Sequence, residues 1–166
     1  SWEGEVVWCP MLAAQYVLAM HAMGRPISAE RRKNLLRHFE DTRLAGGAWG
    51  LHELSKPYLF VTILVYVASR LLGVEKNDPL LSRAYEFVRA EGGASAVPSW
   101  GKLWLAIVGL YDWKGVSPVV AEAWLLPEWL PVHPSNYYCH TRLIYMAMAT
   151  VSGARFVGPL QLHFRA

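Results

Sequence analysis

The sequence predicts an all-α fold in which antiparallel helix pairs curve into an α/α toroid, here a partial α/α barrel, and three observations predict it. Gly-rich turns carrying a tryptophan recur at Trp2, Trp49 and Trp100, at intervals of 47 and 51 residues, a spacing that fits a helical-hairpin repeat. Nearly all-apolar helical stretches alternate with stretches that are apolar along one stripe only, the pattern of inner and outer helices. Nothing in the chain reads as a strand.

The first helix is expected from Pro10 to Met23, where Met11, Leu12, Tyr16, Val17, Leu18 and Met20 leave little polar surface for an outward face. Gly24-Arg25-Pro26 ends it. Ser28 then caps a second helix running to about Thr42, with Leu35, Leu36 and Phe39 forming one stripe between charged residues. Beyond the Gly46-Gly47 turn the pair repeats: an apolar helix from Tyr58 to Leu72 stopped by Gly73, then Asp78 as N-cap and Pro79 at the first position of a polar-faced helix to Ala90. Gly92-Gly93 stops that helix, and Trp100 to Tyr111 forms a third inner one. From Asp112 to Pro134 the chain is too rich in proline for a long helix and reads as either a functional loop or a packed connection with short helical turns. A last helix spans Ser135 to Ser152 and ends at Gly153. The whole of 1–166 reads as one segment, and Ser1-Trp2-Glu3-Gly4 looks like the tail of a repeat whose own helix lies upstream, so the chain is expected to be cut from something longer.

Composition narrows the function. Of the 166 residues 54% are hydrophobic and 17% charged, an apolar excess over the usual globular mix that must be buried somewhere. The uncharged, strongly apolar run Pro57 to Ser69 falls short of the ~20 residues that a spanning helix needs, whereas an apolar patch resting on a membrane is compatible with it. The net charge of +3 is scattered, and its one cluster, Arg31-Arg32-Lys33, sits in the first turn of a helix, as a solvated face rather than a nucleic-acid surface. Cys9 and Cys139 cannot build a disulfide framework, which suggests a reducing compartment or the cytosolic face of a membrane. No hydrolase elbow, phosphate loop or zinc-helix motif occurs, and the six histidines lack metal-ligand spacing. Hydrolase, nucleotide and zinc chemistries are therefore not expected.

What remains is a set of aromatic side chains around one histidine: Trp100 and Trp104 on one inner helix, and Tyr137, Tyr138, Cys139, His140 and Tyr145 on another. On a helix Tyr138, Thr141 and Tyr145 would share a face, three and four positions apart, with His140 at its border. Taken as residues alone, such a face is either ordinary core or the wall of a cavity whose rings stabilise carbocations through their π faces. In the second case a neutral His140 orients a hydroxyl or accepts a proton.

Several blocks carry a family resemblance. Gly47-Ala48-Trp49-Gly50-Leu51-His52-Glu53, Tyr66 to Gly73, Gly92-Gly93-Ala94 and Pro98 to Ala106 resemble the N-terminal half of the oxidosqualene cyclases, which include lanosterol and cycloartenol synthases. So do Glu122 to Pro127, Cys139-His140-Thr141-Arg142 and Tyr145-Met146-Ala147-Met148. The resemblance covers almost the whole chain.

It implies two α/α barrels of terpene-cyclase type, tied by repeats in which a glutamine stacks on the tryptophan of a Gly-x-Trp turn, with Trp2 and Trp49 as members of that set. It also implies cyclisation of 2,3-oxidosqualene to a tetracyclic sterol precursor without a cofactor, by a monotopic enzyme that draws its substrate from the bilayer at the cytosolic face of the endoplasmic reticulum or a lipid droplet. By position, Trp100 and Tyr138 resemble aromatic walls of the substrate cavity. His140 resembles the catalytic histidine near the late cation, and Thr141 and Tyr145 resemble the neck between membrane channel and cavity. Tyr137, Trp113, Trp124 and Trp129 are expected to be structural.

The departures concern the product more than the fold. Arg43 stands where the repeat motif calls for glutamine, Thr141 where many members have cysteine, Ala147 where they have proline, and Val61 and Val65 where they have glycine and asparagine; Val6 lies where some carry a cavity tyrosine. The initiating aspartate of the family's D-C-T-A-E motif is absent from these residues, so the segment alone is expected to be inactive, its partners being the remainder of the cyclase chain and the membrane surface. The alternative is a non-catalytic α/α repeat module that binds an apolar lipid or a partner domain.

Overall fold

The computed structural model describes residues 9–159, and among them the regular structure is entirely helical. The order is α1 (Met11–Ala22), α2 (Ala29–Asp41), α3 (Leu59–Leu71), α4 (Ser82–Ala90), α5 (Gly93–Ala96), α6 (Ser99–Ile107) and α7 (Cys139–Ala154). Three short 3-10 turns, Trp113–Gly115, Ala121–Leu125 and Pro134–Asn136, fill the stretch before α7. The proline-rich region is therefore an irregular connection with short helical turns. The turn at Trp2 and the position of Val6 lie outside the described residues.

The inner and outer roles follow the apolar pattern. In α3, ten of thirteen residues are buried, and the helix packs along α1 on one side and α4 on another. Val61 and Val65, both fully buried, fill this interface with β-branched side chains. By contrast α2 buries only Phe39, the expected behaviour of an outer helix with one apolar stripe. Ser28 caps α2 as the sequence suggested, its hydroxyl accepting the Arg31 N–H at 3.3 Å. Two arginines tie α2 inward: Arg31 donates to the Tyr16 hydroxyl at 3.0 Å, and Arg32 to the carbonyl of Leu72. These apolar-inner, polar-outer hairpins are the building unit of an α/α toroid.

The Trp49 turn locks the two hairpins together. Its indole N–H donates to the Phe39 carbonyl at 2.8 Å, while Thr62 of α3 accepts the Trp49 N–H at 3.1 Å and donates back to the Trp49 carbonyl at 2.9 Å. Every polar atom of the fully buried Trp49 is thus paired, which its burial demands. Gly47 holds φ +87°, and a Cβ there would lie 2.5 Å from the Arg83 Cβ. Arg43, at the position expected to carry a stacking glutamine, donates instead to the Pro79 carbonyl at 2.9 Å, joining the end of α2 to the turn before α4.

Three boundaries differ from expectation by more than two residues, and the short helix α5 follows Gly92 where none was expected. Asp78 does not cap a helix at Pro79: its carboxylate takes the Leu80 N–H at 2.8 Å in a local turn, and α4 starts at Ser82. Gly109, at φ +77°, ends α6 at Ile107 instead of Tyr111. The last helix begins at Cys139 and not at Ser135, because residues 134–136 form a 3-10 turn and Tyr137 and Tyr138 are extended, with ψ 152° and 145°.

After α7, Arg155 turns left-handed at φ 45°. The chain then returns to the core, where the Gly158 N–H donates to the Ile107 carbonyl at 2.7 Å. A Cβ on Gly158 would meet the Ala22 Cα at 2.7 Å, so only glycine permits this crossing. No helix among the described residues is long and apolar enough to cross a membrane.

Candidate functional site

The five residues singled out by sequence, Trp100, Tyr138, His140, Thr141 and Tyr145, do not form one shared face. Tyr138 is the N-cap of α7, not a helical residue, so the three-and-four spacing to Thr141 and Tyr145 does not apply to it. The extended backbone at Tyr137 and Tyr138 splits the aromatics into two groups.

In the first group Tyr145 turns back toward the proline-rich connection. Its hydroxyl donates to the Val120 carbonyl at 2.6 Å, and its ring meets Tyr137 edge-on with centroids 5.6 Å apart. Tyr137 in turn donates to the Val132 carbonyl at 3.1 Å. Burial, with Tyr137 and Glu122 adding to it, raises the Tyr145 phenol above the ordinary tyrosine range, so the group stays a protonated donor. Together with Ala123 and Leu126 these residues line an apolar hollow of about 360 Å³.

The second group is Tyr138 and His140, with ring centroids 5.5 Å apart. Both are exposed, Tyr138 by 77%. Thr141 is exposed beside them. A ring face next to an imidazole offers π density and a proton acceptor in one place.

Trp100 belongs to neither group. Half-buried at the start of α6, it packs against the main core and against a smaller cluster of Leu103, Ala106 and Val116. Through Met148, which borders that smaller cluster, α7 reaches the same layer.

Sequence reasoning passed over the connection that supports these groups. His133 is 4% exposed, with Trp124 standing edge-on to its ring at 5.9 Å. Trp124 and Tyr137, expected to be structural, are the immediate supports of the site. The visible signal was His133-Pro134, a cap followed by proline at the first position of a turn. A larger cleft of about 520 Å³ lies between α1 and α2, lined by Tyr16, Arg31, Asn34 and His38, and it contains none of the aromatics singled out from sequence.

The apolar surface is concentrated around α7. Leu125, Trp129, Leu143, Ile144, Met146, Phe156 and Val157 are all exposed, Leu125 by 84%.

The pattern of the squalene-hopene cyclase N-terminal domain matches residues 1–165. Human lanosterol synthase is 39% identical over 148 residues, covering 89% of this chain and 20% of its own length. Cycloartenol synthase of Dictyostelium discoideum is 36% identical, covering 96% of this chain and 23% of its own. Lanosterol synthase of Saccharomyces cerevisiae is 39% identical, with 87% and 20% covered. The chain thus spans about a fifth of the length of the relatives it matches.

Proposed function

The chain belongs to the squalene-hopene cyclase N-terminal domain family, and from that premise we propose that it is part of an oxidosqualene cyclase, supplying one aromatic wall of the cavity in which 2,3-oxidosqualene becomes a tetracyclic sterol precursor. The observation that carries this reading is the Tyr138–His140 pair, exposed at the head of α7 in a chain that matches lanosterol and cycloartenol synthases over most of its length.

Cyclisation runs through carbocations once the epoxide is protonated. Trp100 and Tyr138 present π faces to positive charge, an attraction that strengthens where water is excluded. His140, as a neutral imidazole, accepts the final proton or orients a hydroxyl beside the late cation. Thr141 and Tyr145 border the neck through which an apolar substrate enters, and the 360 Å³ hollow beside Tyr145 is apolar enough for an isoprenoid chain. The acid that starts the reaction comes from elsewhere in the protein, since no D-C-T-A-E motif occurs in these residues. The segment alone is therefore inactive. The apolar surface around α7 meets the remaining cyclase chain or the membrane leaflet that holds the substrate, as a monotopic enzyme requires.

Incubating the full-length parent with 2,3-oxidosqualene in detergent should yield a sterol-type triterpene. A parent that carries the acidic motif and forms none leaves the non-catalytic repeat module as the better reading. His140→Ala in that parent should change the product distribution or the rate, and unchanged products and kinetics would remove His140 from the mechanism.

A further inference from the structure

We propose that His133 is a positioning residue: by capping the Pro134–Asn136 turn with a neutral imidazole, it sets the place of Tyr137 and Tyr138 at the head of α7. This rests on the cyclase reading above and deepens it, because it assigns the placement of the aromatic wall to a residue that itself contacts no substrate.

The geometry fixes the imidazole's state. Ser135 presents its backbone N–H to His133 Nδ1 at 3.1 Å and its hydroxyl to the same atom at 2.6 Å. A backbone N–H can only donate, so Nδ1 is the acceptor and the ring proton sits on Nε2. The ring is nearly sealed, at 4% exposure, with Trp124 edge-on at 5.9 Å. A histidine buried this deeply and paired on this atom has one available orientation.

What the cap holds is the entry to the site. The His133 N–H donates to Leu130 at 2.9 Å, and its carbonyl accepts the Asn136 N–H at 3.0 Å. The Asn136 side chain returns to the Leu130 carbonyl at 3.0 Å, and Arg142 of α7 reaches the Ser135 carbonyl at 3.5 Å. The turn then passes directly into Tyr137, which packs on Tyr145, and Tyr138, which packs on His140. Both turns flanking this mesh, Ala121–Leu125 and Pro134–Asn136, lie against α7. Loss of the acceptor frees the Ser135 N–H and lets the two tyrosines shift together.

The test uses the full-length parent. His133→Phe keeps a ring beside Trp124 but removes the acceptor. His133→Asn keeps an acceptor of the kind favoured at such caps. His133→Phe is expected to lower kcat by about 10–100-fold, the scale of a small misplacement of reacting groups, and to alter the product ratio with KM and melting temperature near wild type. His133→Asn should restore both kcat and products. An active wild type in which His133→Phe keeps the wild-type kcat and product ratio overturns this inference alone, as does a folded His133→Asn no better than His133→Phe. A wild type that forms no triterpene overturns the cyclase reading and this inference with it. Should His133→Phe fail to accumulate as folded protein, His133→Leu decides, since it also lacks an acceptor for the Ser135 N–H but has a smaller side chain: a folded variant with the wild-type kcat and product ratio overturns the inference.

Discussion

Residues 9–110 and 111–159 use tryptophan and aliphatic side chains in opposite ways. In the first region Trp49 is fully buried with its N–H paired, and α3 hides ten of its thirteen residues. In the second Trp129 is 80% exposed, and α7 buries one of sixteen residues, Ala149. The same apolar composition thus closes one core and leaves another open. An aromatic sealed by the chain's own fold has a structural task, whereas one left uncovered is available to a ligand or to more protein. That distinction places Tyr138 and His140 among the available residues and Trp49 among the structural ones.

The comparison breaks most readily at Trp49. Trp49→Ala removes the largest fully buried side chain and the bond to Phe39, and should cost about 3–5 kcal/mol. Urea unfolding followed by far-UV circular dichroism measures it; a cost under about 1 kcal/mol would mean that the first region is no more tightly closed than the second.

Two glycines sharpen the contrast at the next level. A Cβ on Gly101 would lie 2.1 Å from Val97 Cγ1 and 2.9 Å from Phe60, both buried side chains with no room to yield. Gly101→Ala should therefore destabilise by about 1–3 kcal/mol through overpacking. Gly153, in the last turn of α7, has nothing within 4 Å of an added Cβ. There the same substitution should stabilise by about 0.4–1 kcal/mol, because alanine loses less backbone freedom on folding. Opposite signs in one denaturation series are the expected result, and equal effects would contradict the two-region picture.

Legibility in the sequence follows the same division. The boundaries of α1, α2 and α3 were readable within a residue or two, because apolar periodicity, Ser28 and Gly73 all point to the same elements. The start of α4 was not, since the Asp78 carboxylate satisfies its own turn instead of a helix. Motifs single out Trp100, Tyr138, His140, Thr141 and Tyr145, but they do not show how the fold groups these residues. Tyr145 chooses a carbonyl 25 positions away, and no helical spacing encodes a partner in an irregular connection. His133-Pro134 marks a turn in the sequence, but the role of its ring is hidden for a related reason: a lone histidine before proline acquires meaning only once the turn brings Ser135 onto its ring.

The smallest expected change in stability tests what α7 is for. Leu143 is 68% exposed, so Leu143→Lys should move the unfolding free energy of the 166-residue chain by no more than about 0.5 kcal/mol. Its effect belongs to association. With Ile144, Met146 and Leu125 also uncovered, the wild-type chain should self-associate in gel filtration without detergent, and a lysine in that surface should shift it toward monomer. In the full-length parent the sign reverses if other parts of the protein cover this face: the same lysine then loses its hydration on folding, and the yield of folded enzyme should fall. A wild-type chain that runs as a clean monomer, with Leu143→Lys harmless in the parent as well, would make the exposed face of α7 an ordinary solvated surface.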